Sequence, residues 1–96
     1  MKFIKLSKDE QRALDIRGFW GCDAIAQNVL RGPRYRAVMV IWPGQREWAV
    51  QVLARYAREE REGAEFDEKN GERARAKRAE RRARIVERLV EKVRAL

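Results

Sequence analysis

The feature that most constrains the fold is a run of six consecutive apolar residues, 37–42, which Pro43-Gly44 ends. Apolar residues at every position suit either a strand covered on both faces or a buried helix. Trp42 precedes the proline, which disfavours α-helical backbone there, and the run is rich in β-branched side chains. We therefore predict a strand over this run and a turn at Pro43-Gly44.

An amphipathic helix is predicted after that turn, from Gln45 to about Glu62, where Gly63 weakens the pattern. Its apolar positions recur at three- and four-residue spacing: Trp48, Ala49, Val52, Leu53, Tyr56 and Ala57. This stripe would bury against the strand. We expect Trp42 and Trp48 in the resulting core, with base stacking as the alternative role for exposed aromatic rings.

The N-terminal third contains weaker signals. Residues 2–6 suit a short strand, and Ser7 with Glu10 three residues later is a capping box, which predicts a helix over 8–17 that Gly18 ends. A second helix is predicted from Asp23 to the Gly32-Pro33 break. Its apolar side would carry Ile25, Ala26, Val29 and Leu30.

The C-terminal part reads as a turn followed by a long helix. Asn70-Gly71 is a strong turn signal, and a helix is predicted over 72–96. The whole chain is thus expected to be α+β and predominantly helical, with about four helices, one or two short strands, and a last helix that is long, amphipathic and basic. Residues 1–68 would form a compact core, and 69–96 would be a helix of the same domain or an arm.

Length and composition exclude several classes of protein. Ninety-six residues suit one domain. Neither a membrane-spanning segment nor the apolar region of a signal peptide is present, so we expect a cytoplasmic protein that does not bind membranes. One cysteine, Cys22, and no histidine argue against an internal disulfide, a zinc site and His-based catalysis. We expect no enzymatic activity, metal or cofactor.

The charge is strongly segregated along the chain. The net charge is +8 overall, and it divides into +6 over residues 1–58, −5 over 59–72 and +7 over 73–96. Blocks of one sign act either as interaction surfaces or as partners for each other. Any functional interpretation has to account for this basic, acidic and basic order.

The last helix carries an apolar seam near its C-terminus. A seam of this kind is typical of helix pairing between subunits, so we predict a homodimer. The residues assigned to this oligomer interface are Ile85, Val86, Leu89, Val90, Val93 and Leu96.

The same helix carries most of the C-terminal positive charge on one broad side. At 100° per residue its basic side chains gather on one flank and along the N-terminal continuation of the seam, while its acids lie on the opposite side. We predict a phosphate clamp formed by Arg73, Arg75, Lys77, Arg78, Arg81, Arg82, Arg84 and Arg88. A second contact is predicted at Arg31, Arg34 and Arg36, which bracket Gly32-Pro33.

Two anions could neutralise this basic side. One is the phosphate backbone of DNA or RNA, which predicts a nucleic-acid-binding protein, such as a regulator or accessory factor of a virus or mobile element. The other is the acidic block over 59–68 of the same chain, folded back as a helical hairpin. A separate functional alternative is a non-enzymatic interaction module, an inhibitor or assembly factor, that docks the basic helix on an acidic protein partner.

Overall fold

The computed structural model describes residues 1–14, 25, 27–32 and 37–96, and within them three helices and a small sheet. The α+β, predominantly helical class is therefore confirmed. In chain order the elements are β1 (Lys2–Leu6), α1 (Lys8–Leu14), β2 (Val29–Arg31), β3 (Ala37–Ile41), α2 (Arg46–Lys69) and α3 (Arg73–Arg94).

The three strands form an antiparallel sheet in the order β1-β3-β2. In the centre of the sheet, Met39 of β3 lies opposite Ile4 of β1 and Val29 of β2. The predicted first strand and central strand are both confirmed. The central position agrees with the unbroken apolar run, because β3 has a strand on each side, packs Ala37, Met39 and Ile41 into the core and also buries Val40.

Strand β2 corrects the prediction of a helix at Val29 and Leu30. Pairing with β3 outweighs the helical spacing of these residues, because the propensity of so short a segment is weak. Asn28 fixes the entry to β2: its side-chain amide donates to the Val40 carbonyl at 3.0 Å and to Gln45 Oε1 at 2.9 Å. The predicted helix start at Asp23, and Ala26, lie outside the described residues.

The capping box at the start of α1 is confirmed. The Glu10 backbone N–H donates to Ser7 Oγ at 3.1 Å, and the Ser7 N–H donates to Glu10 Oε1 at 2.9 Å. The other oxygen of the buried Glu10 carboxylate accepts a hydrogen bond from Lys92 Nζ at 3.0 Å. This one side chain therefore caps α1 and attaches it to the C-terminal half of α3. The predicted continuation of α1 to residue 17 lies outside the described residues.

Helix α2 continues through Gly63 to Lys69, so the predicted end near Glu62 is wrong. A glycine costs a helix about 1 kcal/mol relative to alanine, and packing beyond it outweighs that cost. Ala64 is buried in a small cluster with Ala76 and Ala79 of α3. The chain then turns at Asn70-Gly71 as predicted, with Gly71 at φ +79°, so α2 and α3 form an antiparallel hairpin.

The hairpin and the sheet share one core. Its largest fully buried side chains come from β3, α2, α3 and one residue before β2. They are Ile25, Met39, Leu53, Val86, Leu89 and Val93. Helix α3 is thus part of the same hydrophobic cluster as residues before position 69. Within the described ranges, no helix has the length and apolar character that a bilayer crossing requires.

The expectation that Trp42 and Trp48 lie in the core is wrong. Their exposed fractions are 51% and 36%. Trp42 follows the last residue of β3, and Trp48 lies in the first turn of α2. Smaller residues of the same stripe, such as Ala49 and Leu53, are buried instead.

Two glycines of the hairpin allow a matched test of backbone effects. A Cβ at either Gly63 or Gly71 would contact nothing within 4 Å, so only backbone conformation distinguishes them. We expect Gly71→Ala to lower the free energy of unfolding by about 1 kcal/mol, because alanine is strained at positive φ. We expect Gly63→Ala to raise it by roughly 0.5–1 kcal/mol, because alanine favours the helix. Urea unfolding followed by circular dichroism measures both, and effects of the same sign would contradict the assigned turn.

Candidate nucleic-acid interface

Five basic side chains of α3 form an exposed row. They lie within an 80° sector of the helix and extend over about 22 Å of its axis. All are exposed to solvent, on the side opposite the buried residues of α3. We call this set the cationic row; it consists of Arg73, Lys77, Arg81, Arg84 and Arg88.

The inward side of α3 differs from the prediction in its N-terminal half. Arg75 and Arg78 do not continue the apolar seam: both are exposed, and the buried positions there are Ala76, Ala79 and Ala83. A straight helix drifts relative to a seven-residue repeat, so the buried side rotates along its length. Alanine also leaves room for the two helices of the hairpin to lie close together.

A groove between α1 and α3 extends the basic surface. It has a volume of about 300 Å³ and is lined by four guanidinium groups, by one carboxylate, and by two apolar side chains. The lining residues are Asp9, Arg12, Ala13, Arg78, Arg81, Arg82 and Ile85. The groove thus brings three predicted clamp residues together with Arg12, which sequence reasoning missed. Nothing in the local pattern around Arg12 indicates a contact with a helix almost 70 positions later.

The acidic block neutralises only one member of the predicted clamp. Arg82 donates to Oε2 of the buried Glu60 through Nε at 3.2 Å and Nη2 at 3.1 Å. Arg81 lies 3.7 Å from Asp9, but both side chains are more than half exposed, and such a pair contributes little. The hypothesis of internal pairing is therefore correct for Arg82 alone.

The other predicted clamp residues have no ion pair within the described part of the chain. These residues are Arg73, Arg75, Lys77, Arg78, Arg84 and Arg88. Within the acidic block, Glu59 pairs instead with Arg55 of its own helix at 3.0 Å. Folding into a hairpin therefore leaves most of this positive charge available.

The acidic flank of α3 faces α2. Arg61 of α2 donates two hydrogen bonds to the Glu87 carboxylate, and this contact raises the pKa of Arg61 above its ordinary value. The arrangement reverses the predicted one, since here the acid is on α3 and the base on α2. The prediction that the acids of this helix lie opposite its basic side chains is therefore wrong: they border the cationic row on the α2 side, and the basic groove borders it on the α1 side.

The second predicted contact is only partly described. Arg31 is the last residue of β2, and its backbone lies opposite Ala37 of β3. Arg34 and Arg36 lie outside the described residues. A role for these three arginines in binding phosphate stays a prediction.

The apolar seam of α3 is occupied within one chain. Val86, Leu89, Val90 and Val93 are at most 4% exposed and belong to the core formed with α2 and the sheet. Ile85 and Leu96, at its edges, are half-buried. The four buried residues are therefore unavailable to a partner subunit, because α2 already supplies the facing apolar stripe. Homodimerisation stays a prediction, and it would need another surface.

The chain matches no protein-family model, no curated protein and no solved structure. Among the described residues, no three His, Cys, Asp or Glu side chains lie where they could hold a metal ion. Function must therefore be inferred from the charges and contacts of the chain's own side chains.

The Glu60–Arg82 pair should contribute to stability. Glu60→Gln removes the negative charge that faces a guanidinium group whose side chain is 32% exposed. We expect the free energy of unfolding to fall by about 1–3 kcal/mol, because the buried amide and the cation are left poorly matched. The matched control is Glu62→Gln, at an exposed position, which should change it by less than about 0.5 kcal/mol. Equal effects in chemical denaturation would show that the pair has no special role.

Proposed function

We propose that this protein is a small, non-enzymatic nucleic-acid-binding protein that holds phosphates with the cationic row. The main support is that four of the five residues in the row have no ion pair among the described residues, although an acidic helix lies next to α3. Only Arg81 has one, at the surface. An exposed basic surface without internal partners is the electrostatic footprint of a polyanion-binding protein.

Arginine-rich surfaces suit phosphate for a physical reason. Guanidinium groups donate paired hydrogen bonds to phosphate oxygens, and each phosphate that is neutralised releases condensed counterions into solution. The row extends over about 22 Å, and along duplex DNA one negative charge occurs per roughly 1.7 Å of axis. Several contacts can therefore form at once.

The borders of the row set the direction of approach. Glu80, Glu87 and Glu91 lie on the α2 side, and they would repel a phosphate backbone. On the α1 side, Arg12 and Arg78 line the groove without ion pairs among the described residues. The backbone would therefore lie over α3 on the α1 side, with one phosphate entering the groove.

A surface of this kind is expected to bind with little base preference, because phosphate contacts carry no direct sequence information. We propose that the protein acts in the cytoplasm as a regulator or accessory factor, of the kind used by viruses and mobile elements. Base reading, where it occurs, would have to come from another surface.

The test compares two triple variants of equal charge. Lys77→Gln, Arg84→Gln and Arg88→Gln remove three cations of the row, while Lys8→Gln, Arg58→Gln and Lys69→Gln remove three exposed cations from other surfaces. Fluorescence anisotropy with a 20-base-pair duplex, over a series of salt concentrations, gives affinity and its salt dependence. We expect the row variant to reduce the slope of log K against log salt by about 2–3, and the control variant to reduce it by less than about 1.

Two outcomes would contradict the proposal. Equal losses in both variants would mean that net charge alone drives binding. Contacts with phosphate are strong at about 50 mM salt. If the unmodified protein binds neither duplex nor single-stranded nucleic acid under that condition, the partner of the row is an acidic protein surface instead.

A further inference from the structure

Among the described residues, the helices pack against one face of the sheet, and large apolar side chains are exposed on the other face. Alternation along β3 directs Ala37, Met39 and Ile41 into the core, and the intervening Val38 and Val40 to the opposite side. On that side Phe3 lies opposite Val40, while Lys5 and Leu30 lie opposite Val38. Trp42 continues the same alternation one step beyond β3. We call this set the outer sheet face: Phe3, Lys5, Leu30, Val38, Val40 and Trp42.

Large apolar side chains on this face are exposed. The exposed fractions are 54% for Phe3, 59% for Leu30 and 51% for Trp42, and the smaller Val40 between them is buried. Three large apolar side chains grouped on one face are unusual on a protein of 96 residues, and such groups mark binding surfaces. The opposite face already has its partner in the hairpin core.

The charges on these strands indicate what kind of partner fits. Lys5 of β1 lies on this face, is exposed and has no ion pair among the described residues, and no carboxylate occurs in β1, β2 or β3. A second copy of a chain with net charge +8 would bring like charges together here. A polyanion with flat apolar groups would instead complement both the aromatic rings and Lys5.

We infer that the outer sheet face stacks the bases of single-stranded nucleic acid on Phe3 and Trp42, while Lys5 contacts an adjoining phosphate. This inference depends on the proposed function and adds the substrate class. Trp42 is the diagonal neighbour of Phe3 across β1 and β3, a separation of about 7–8 Å between such positions. Stacking on aromatic rings accepts any base but requires bases that are not already stacked within a duplex.

The two surfaces then have different tasks. The cationic row contacts backbone phosphates in both duplexes and single strands, because both carry them. The outer sheet face discriminates in favour of single strands, because only their bases are accessible to Phe3 and Trp42. A nucleic-acid strand that contacted both surfaces would have to pass around the edge of the β-sheet.

The test uses leucine substitutions, which keep an apolar side chain and remove the aromatic ring. In the full-length protein, Phe3→Leu with Trp42→Leu is expected to weaken binding of a 12-nucleotide oligothymidine about tenfold or more. Its affinity for the 20-base-pair duplex should change less than twofold. Phe66→Leu, at a 68% exposed ring on the hairpin, is the matched control and should leave both affinities unchanged.

The aromatic replacements Phe3→Tyr and Trp42→Phe should retain single-strand affinity, which separates stacking from folding. Unchanged oligothymidine binding in the leucine variant would overturn the inference, while loss of duplex binding in the row variant would still support the proposed function. A dimer in sedimentation that Phe3→Lys converts to a monomer, with unaltered oligothymidine affinity, would assign the face to a second copy and also overturn the inference.

Discussion

The structure depends on the packing of α3 against α2. Its valines and leucine fill the main core, and the buried Ala76, Ala79 and Ala83 continue the contact toward the hairpin turn. Burial of this kind stabilises by about 25 cal/mol per Å² of apolar surface removed from water. It also fixes the rotation of α3 about its own axis. Once Ala83 and Val86 face inward, the basic residues at intervening positions must face solvent.

That rotation determines which charges can be neutralised within the chain. Glu60 lies on the buried side of α2, so it reaches Arg82, whose side chain borders the core. Within the described residues, the other acids of α2 form no ion pair with α3. Two adjacent helices of opposite charge therefore pair at few points. A count of charges by segment cannot show this, because pairing depends on the direction of each side chain rather than on its position in the chain.

Patterns that are local in sequence predicted structure well. The capping box at Ser7 and Glu10 formed as expected, and the Asn70-Gly71 turn and the central strand were also found. Each of these is indicated by residues that are neighbours in the sequence. The errors occurred where a distant partner decides the conformation. Strand β2 exists because β3 pairs with it, and α2 passes Gly63 because Ala64 has α3 to pack against.

The candidate site also divides into features that the local sequence predicts and features that depend on distant contacts. The cationic row follows directly from helical periodicity, so its residues could be predicted. Arg12 could not be, because its place in the groove depends on the docking of α1 through Glu10 and Lys92. The exposure of Trp42 was also missed, since an aromatic residue at the end of an apolar run looks like a core residue. Its position after the last strand residue is set by tertiary structure.

Charge repulsion within the cationic row completes the argument for an external anion. Arg73 and Lys77, Lys77 and Arg81, and Arg84 and Arg88 are like-charge pairs at i,i+4, each unfavourable by roughly 0.2–0.5 kcal/mol. The helix tolerates this repulsion because its opposite side is fixed in the core. A bound phosphate backbone would reduce the repulsion, and a ligand that binds only the folded chain stabilises it. The basic residues that destabilise α3 as an isolated helix are thus the ones through which a bound phosphate backbone would stabilise the folded protein.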